Sequence, residues 1–130
     1  MLTHPAHLIY SSKHMWVNVQ DDIAIIGVTD DLQHIVGELE SVDLPMVGDE
    51  LEIDEDCVAF HVGPELYGLP SPLTGRVEEV NEALLDDPGK IFLAPYTSGW
   101  LYKMEYDEPE ELELLMSDRD YVEFLEETDE

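Results

Sequence analysis

Five histidines, one cysteine, three lysines and a large excess of carboxylates are the side chains here whose chemistry could matter most. Cys57 is the only thiol, so it can form no internal disulfide and offers no zinc-type cysteine spacing. A nucleophilic thiolate needs a pKa lowered by nearby positive charge, and Asp54, Glu55 and Asp56 just before it act the other way. His4, His7 and His14 lack both regular spacing and neighbouring cysteines, so no metal site is expected. His61 stands on an alternating stretch and reads as an ordered strand residue. Lys13 lies in the opening segment, Lys90 follows a Pro-Gly stop, and Lys103 falls within a strand. No phosphate-cradling glycine loop, metalloprotease helix or nucleophile elbow occurs. Carboxylates are so numerous that their pairing by chance says nothing. No catalytic residue is assigned, and the chain reads as a non-enzyme.

Charge narrows the partners further. With 32 acidic against 5 basic side chains the formal net charge is -27, which opposes binding to nucleic acid and to anionic membranes. Acidic residues crowd the end of the chain, from Asp107 and Glu108 through Glu126, Glu127, Asp129 and Glu130. Such a face aids solubility, suits a salty medium, or steers toward a basic partner. No basic-then-apolar leader and no apolar run of roughly 18 to 20 residues is present, so a cytoplasmic protein with no membrane contact is expected. A length of 130 residues with 44% hydrophobic side chains suits one domain over 1–130, its core spanning about 10–125.

The elements that must position these groups are short. Tyr10 to Gln20 and Ile23 to Val28 read as strands of a hairpin turned at Asp21-Asp22. A helical turn or two should start at Thr29 or Asp30 and stop at Gly37. Leu39 to Leu44 and a stretch ending near Ile53 are strand-like, separated by the turn Pro45 to Asp49. From Cys57 to Val62 the residues alternate, with Val58, Phe60 and Val62 on the inward face. Gly63-Pro64 ends that strand, and Gly68, Pro70 and Pro72 predict irregular chain until Leu73 to Val80 extends again. A short helix capped by Asn81, a strand from Trp100 to Tyr106 and two terminal helices complete the pattern; in the second, Ser117 with Asp120 forms a capping signal before Tyr121, Phe124 and Leu125.

Several of these segments, in order, resemble the H protein of the glycine cleavage system. Tyr10-Ser11-Ser12-Lys13-His14-Met15-Trp16 is similar to that family's opening, and Ala24-Ile25-Ile26-Gly27-Val28-Thr29-Asp30 to the strand and helix start that follow. Val42-Asp43-Leu44-Pro45-Met46-Val47-Gly48-Asp49-Glu50, Ser71-Pro72-Leu73-Thr74-Gly75-Arg76-Val77 through Leu84, and Gly99-Trp100-Leu101 continue it. The resemblance implies a mainly β fold, a barrel-sandwich hybrid of the lipoyl and biotinyl type, with short helices and a helical C-terminal extension.

It also implies lipoate on a hairpin lysine, and that lysine is missing. None occurs between Lys13 and Lys90. Counting from Cys57-Val58 puts the position at Gly63, while counting back from Ser71-Pro72 puts it at Pro64; the alternation of Val58, Phe60 and Val62 favours Gly63. No bound cofactor is therefore expected. The expected role is a non-lipoylated, protein-binding scaffold or regulator whose contact hairpin comprises His61, Val62, Gly63, Pro64, Glu65 and Tyr67, with a lipoate-related or glycine cleavage enzyme as partner. The alternatives are a working carrier with an atypical linkage and a small-ligand module bordered by the hairpin.

Overall fold

The structure, a computed structural model, describes residues 5–128. His4, Asp129 and Glu130 lie outside them. Strand β1 (Ile9–Tyr10) pairs with β2 (Met15–Gln20), which turns at Asp21-Asp22 into β3 (Ile23–Val28). Asp21 takes a left-handed φ of 58°, which a short polar residue tolerates in a two-residue hairpin loop. The segment read as one strand from Tyr10 is broken by His14, whose φ of 66° closes the β1–β2 turn without a glycine to announce it.

Helix α1 (Asp30–Val36) begins after Thr29 and stops at Gly37, whose φ of 82° suits a residue with no Cβ. Short β4 (Ser41–Asp43) and β5 (Glu50–Leu51) lead to β6 (Asp56–Val62) and β7 (Glu65–Pro70). Strand β8 (Gly75–Val80), helices α2 (Ala83–Asp86) and α3 (Lys90–Leu93), β9 (Tyr102–Tyr106), a 3-10 helix at Pro109–Leu114 and α4 (Asp118–Thr128) follow.

All pairings between these strands are antiparallel, in two sheets of order β1-β2-β3-β9-β8-β5 and β4-β6-β7. Between them lies the main core, where Met15, Ile26, Val77 and Met104 of the larger sheet meet Val42, Val58, Phe60 and Leu69 of the smaller. Fully burying a side chain such as Phe60 is worth about 1.5–3 kcal/mol, so the inward face of β6 strongly specifies its register. A second cluster of Leu8, Tyr10, Trp16 and Tyr121 gathers beneath α4, with Phe124 and Leu125 packed on it. The mainly β sandwich with short helices and a C-terminal helix is the architecture expected. Among the described residues no helix is long and apolar enough to cross a membrane.

Three local expectations change. Residues Glu65–Pro70 form a regular strand rather than irregular chain, because β7 is an outer strand, where a terminal proline removes no ladder bond. Asn81 does not cap α2; its side-chain amide donates to the carbonyls of Ser98 and Trp100 at 2.9 and 2.8 Å. The first terminal helix is a 3-10 turn, held where Glu111 accepts from the Thr74 backbone at 2.7 Å and the Thr74 hydroxyl at 2.8 Å. At the second, the Asp120 N–H donates to Ser117 Oγ at 3.1 Å, as the capping signal requires.

Candidate functional site

The β6–β7 hairpin brings the six expected contact residues together at one end. Val62 pairs with Glu65, so Gly63 and Pro64 alone form the turn. A positive φ at the first central residue, 57° at Gly63, followed by a proline whose ring fixes a negative φ, is the pattern of a type II′ turn. Both counts for the missing lysine thus end on the two tip residues. The backbone does not treat them alike. A Cβ added at Gly63 would meet nothing within 4 Å, yet the left-handed φ strains any L-residue there, whereas Pro64 already carries a side chain at an ordinary φ.

Below the tip the hairpin is anchored from inside. Phe60 is buried and meets Phe92 of α3 edge to face at 6.0 Å, while Val62 and Tyr67 pack partly against the same core. On the opposite face His61 Nε2 donates to Asp43 Oδ2 at 2.7 Å, tying β6 to β4. Leu66, paired with His61, is 62% exposed. The contact set read from sequence omitted Leu66 and Asp43. Strand alternation places Leu66 on the outward face of β7, but Asp43 becomes a partner only through the β4–β6 register.

The pairing of β6 with β7 is unbroken from Val58 to Val62 and slips once, between Asp56 and Val58. That irregularity leaves Cys57 as the unpaired residue of a bulge. Its Sγ lies 3.4 Å from the Tyr102 hydroxyl and 3.7 Å from the Leu69 carbonyl oxygen. Burial, with smaller contributions from Glu55 and Asp56, pushes the thiol up to about 11 despite the Tyr102 hydrogen bond. The thiol is therefore protonated near neutrality and a poor nucleophile.

Of the lysines, Lys103 is engaged on the larger sheet, 3.4 Å from Glu79 and over the Trp100 ring at 5.0 Å, and Lys90 begins α3. Lys13 departs from expectation, for it is exposed on the β1–β2 turn. It borders a cleft of about 500 Å³ with Ser12, Asp54, Asp56, Gly68 and Pro70. The cleft lies down the hairpin from the tip, so Gly63, Pro64 and Tyr67 do not line it.

His14 does not line this cleft. Its Nδ1 is 2.7 Å from the Tyr121 hydroxyl, which is 3.0 Å from Thr29 Oγ1. Burial lowers the His14 pKa against the opposing pull of Asp31. This network fixes α4 to the sheet; among the described residues no group of three or more His, Cys, Asp or Glu side chains is placed to hold a metal ion.

With this geometry in hand, comparison with known proteins is specific. Residues 8–128 match the family model described as Glycine cleavage H-protein. The glycine cleavage system H protein of Halothermothrix orenii is 38% identical over 125 residues, covering 96% of this chain and 98% of that one. That of Carboxydothermus hydrogenoformans is 37% identical over 123 residues, covering 95% of each. The crystal structure of a glycine cleavage system H protein from Mycobacterium marinum superposes with a TM-score of 0.80 at 27% identity, over 95% of this chain and 98% of that one.

Proposed function

The chain belongs to the glycine cleavage H-protein family, and from that premise we propose that it keeps the family fold without the lipoyl arm and works by binding other proteins. It is not an enzyme, since the H protein is a non-enzymatic carrier. The observation that carries the reading is the tip itself: an open, two-residue turn of Gly63 and Pro64, on an intact and anchored hairpin, with no amine to acylate. An amide to lipoate needs a side-chain nitrogen, and neither residue has one. Without a dithiol there is nothing to carry an aminomethyl group. What the hairpin still presents is a shaped end of Val62, Glu65, exposed Leu66 and Tyr67, beside the His61–Asp43 pair, suited to entering a cleft on a glycine cleavage or lipoate-handling enzyme.

Intact mass after co-expression with a lipoate ligase and lipoic acid tests this. The expected product is the unmodified chain, and a lipoyl increment overturns the proposal. One observation favours a rival, a carrier of atypical linkage: Lys13 is an exposed amine on a turn. Peptide mapping of any modified product, with Lys13→Arg as control, distinguishes the two. On the leading reading, the protein also fails to replace an authentic H protein in glycine decarboxylation.

A further inference from the structure

Strand β7 ends its sheet, and the way it pairs determines which of its backbone groups are used. In a two-residue hairpin the pair closing the turn exchanges both hydrogen bonds, and bonded and non-bonded pairs then alternate. Val62↔Glu65, Phe60↔Tyr67 and Val58↔Leu69 are the bonded pairs on this count, and His61↔Leu66 and Ala59↔Gly68 the others. One bond on the far side checks the assignment: the His61 carbonyl oxygen accepts from the Glu40 N–H at 2.8 Å, so His61 directs its backbone toward β4 and away from Leu66. Leu66 and Gly68 therefore turn both N–H and C=O outward, along an edge that no strand of the described structure covers.

That edge is bounded but not closed. Pro64 precedes it and Pro70, with no N–H, ends it, leaving the stretch between with two outward donors and two outward acceptors. Leu66 and Gly68 are both exposed. Natural edges of this kind are usually blunted by lysines, bulges or covering loops. Here the flank is acidic instead: Glu65 stands on the strand, and Asp56 lies so close to Gly68 that an added Cβ would come within 2.9 Å of its Oδ2. Asp54 shares a cleft with Gly68 and Pro70, and Lys13 is the cation among the described residues that line it. A second copy of a chain with net charge -27 is a poor occupant.

We infer that the β7 edge is a docking site for an extended, lysine- or arginine-rich segment of a partner protein, which adds to the three-stranded sheet as a fourth strand. Backbone bonds to Leu66 and Gly68 supply the affinity, and charges against Glu65, Asp54 and Asp56 supply the choice of partner. The inference rests on the protein-binding reading above and gives that partner a chemistry.

The probe is a synthetic strand of alternating lysine and valine, titrated into the isotope-labelled full-length protein and followed by amide NMR and hydrogen exchange. Binding should protect the Leu66 and Gly68 amides, while a glutamate-valine counterpart and a lysine-valine peptide N-methylated at both its lysine and its valine amides, which leaves neither edge able to donate, should not bind. Leu66→Pro removes one outward donor without touching a bond to β6 and should weaken binding roughly five- to tenfold, the loss of about one net backbone hydrogen bond; Leu66→Ala, which keeps that donor, should weaken it less. Equal binding by the N-methylated peptide, or shifts spread over the acidic loop with Leu66 and Gly68 unprotected, overturns the inference, and the former does so even if Leu66→Pro misfolds. Lipoylation of the parent would refute the proposed function and leave this result standing; failure here leaves the mass measurement untouched.

Discussion

Restoring an amine to the hairpin tip is the perturbation on which sequence register and backbone geometry disagree. The strand alternation favours Gly63, but lysine at a φ of 57° carries a left-handed cost of roughly 1–2 kcal/mol, whereas Pro64 sits at an ordinary negative φ. Replacing Pro64 with lysine forfeits only the proline's restriction of the unfolded chain, about 0.4–1 kcal/mol. No steric term separates the two, since a Cβ at Gly63 meets nothing within 4 Å. For a chain of this size each kcal/mol moves the melting temperature by roughly 3–5 °C. Pro64→Lys should thus melt about 1–5 °C below the parent. Gly63→Lys with Pro64→Ala combines both costs and should fall roughly 4–15 °C below it, still folded given a typical stability of 5–15 kcal/mol. Melting is read by circular dichroism and modification by intact mass after exposure to lipoate ligase and lipoic acid. The single variant is expected to be lipoylated and the parent not. Equal melting of the two variants would refute the turn argument, and a folded Pro64→Lys that no ligase accepts would refute the descent of this tip from an attachment site.

Other outcomes follow from the remaining contacts. Glu111→Gln replaces the carboxylate that holds Thr74 by two short bonds and should cost about 1–3 kcal/mol in urea unfolding. His14 has a lowered pKa, so its contribution is complete above about 6.5 and is lost as pH falls, because the unfolded chain takes up the proton first. His14→Gln should flatten the decline in melting temperature on the acid side of that value. Cys57, pushed up to about 11, should react slowly with iodoacetamide at pH 8 in the native protein and at least tenfold faster in urea. Its linkage has the opposite sense, with stability present below about 8.5 and lost as pH rises toward the folded value. Moderate salt at neutral pH should raise the melting temperature by screening a net charge of -27, and a flat response up to about 0.5 M would show the carboxylates too dispersed to matter.

Alternation and punctuation made most of the sheet readable, and the places where they misled share a cause. Ile23–Val28 and Asp56–Val62 alternate clearly because one face of each is buried in the main core. Glu65–Pro70 looked like loop, since glycine and proline argue against a central strand and nothing local says that this strand lies at an edge. The β1–β2 turn was hidden because its left-handed residue is a histidine rather than a glycine, so Lys13 was read as part of an extended stretch. Helix α3, four residues long, has no period to detect, though its Phe92 braces the hairpin through Phe60. The tip positions could be named from register alone, but their inequality is a matter of φ, which side-chain order does not reveal.

The two apolar clusters imply two levels of durability. The sandwich interior holds both sheets together, while α4 rests outside, its own Tyr121 packed on Leu8, Tyr10 and Trp16, with Tyr10 and Tyr121 stacked at 4.9 Å. Such a helix can detach as a unit and return without the strands parting, so its amides should exchange with solvent ahead of those in β3 and β9. A protease acting on the native protein would then find its first substrate around Ser117, and release of the last dozen residues would leave both faces of the hairpin in place.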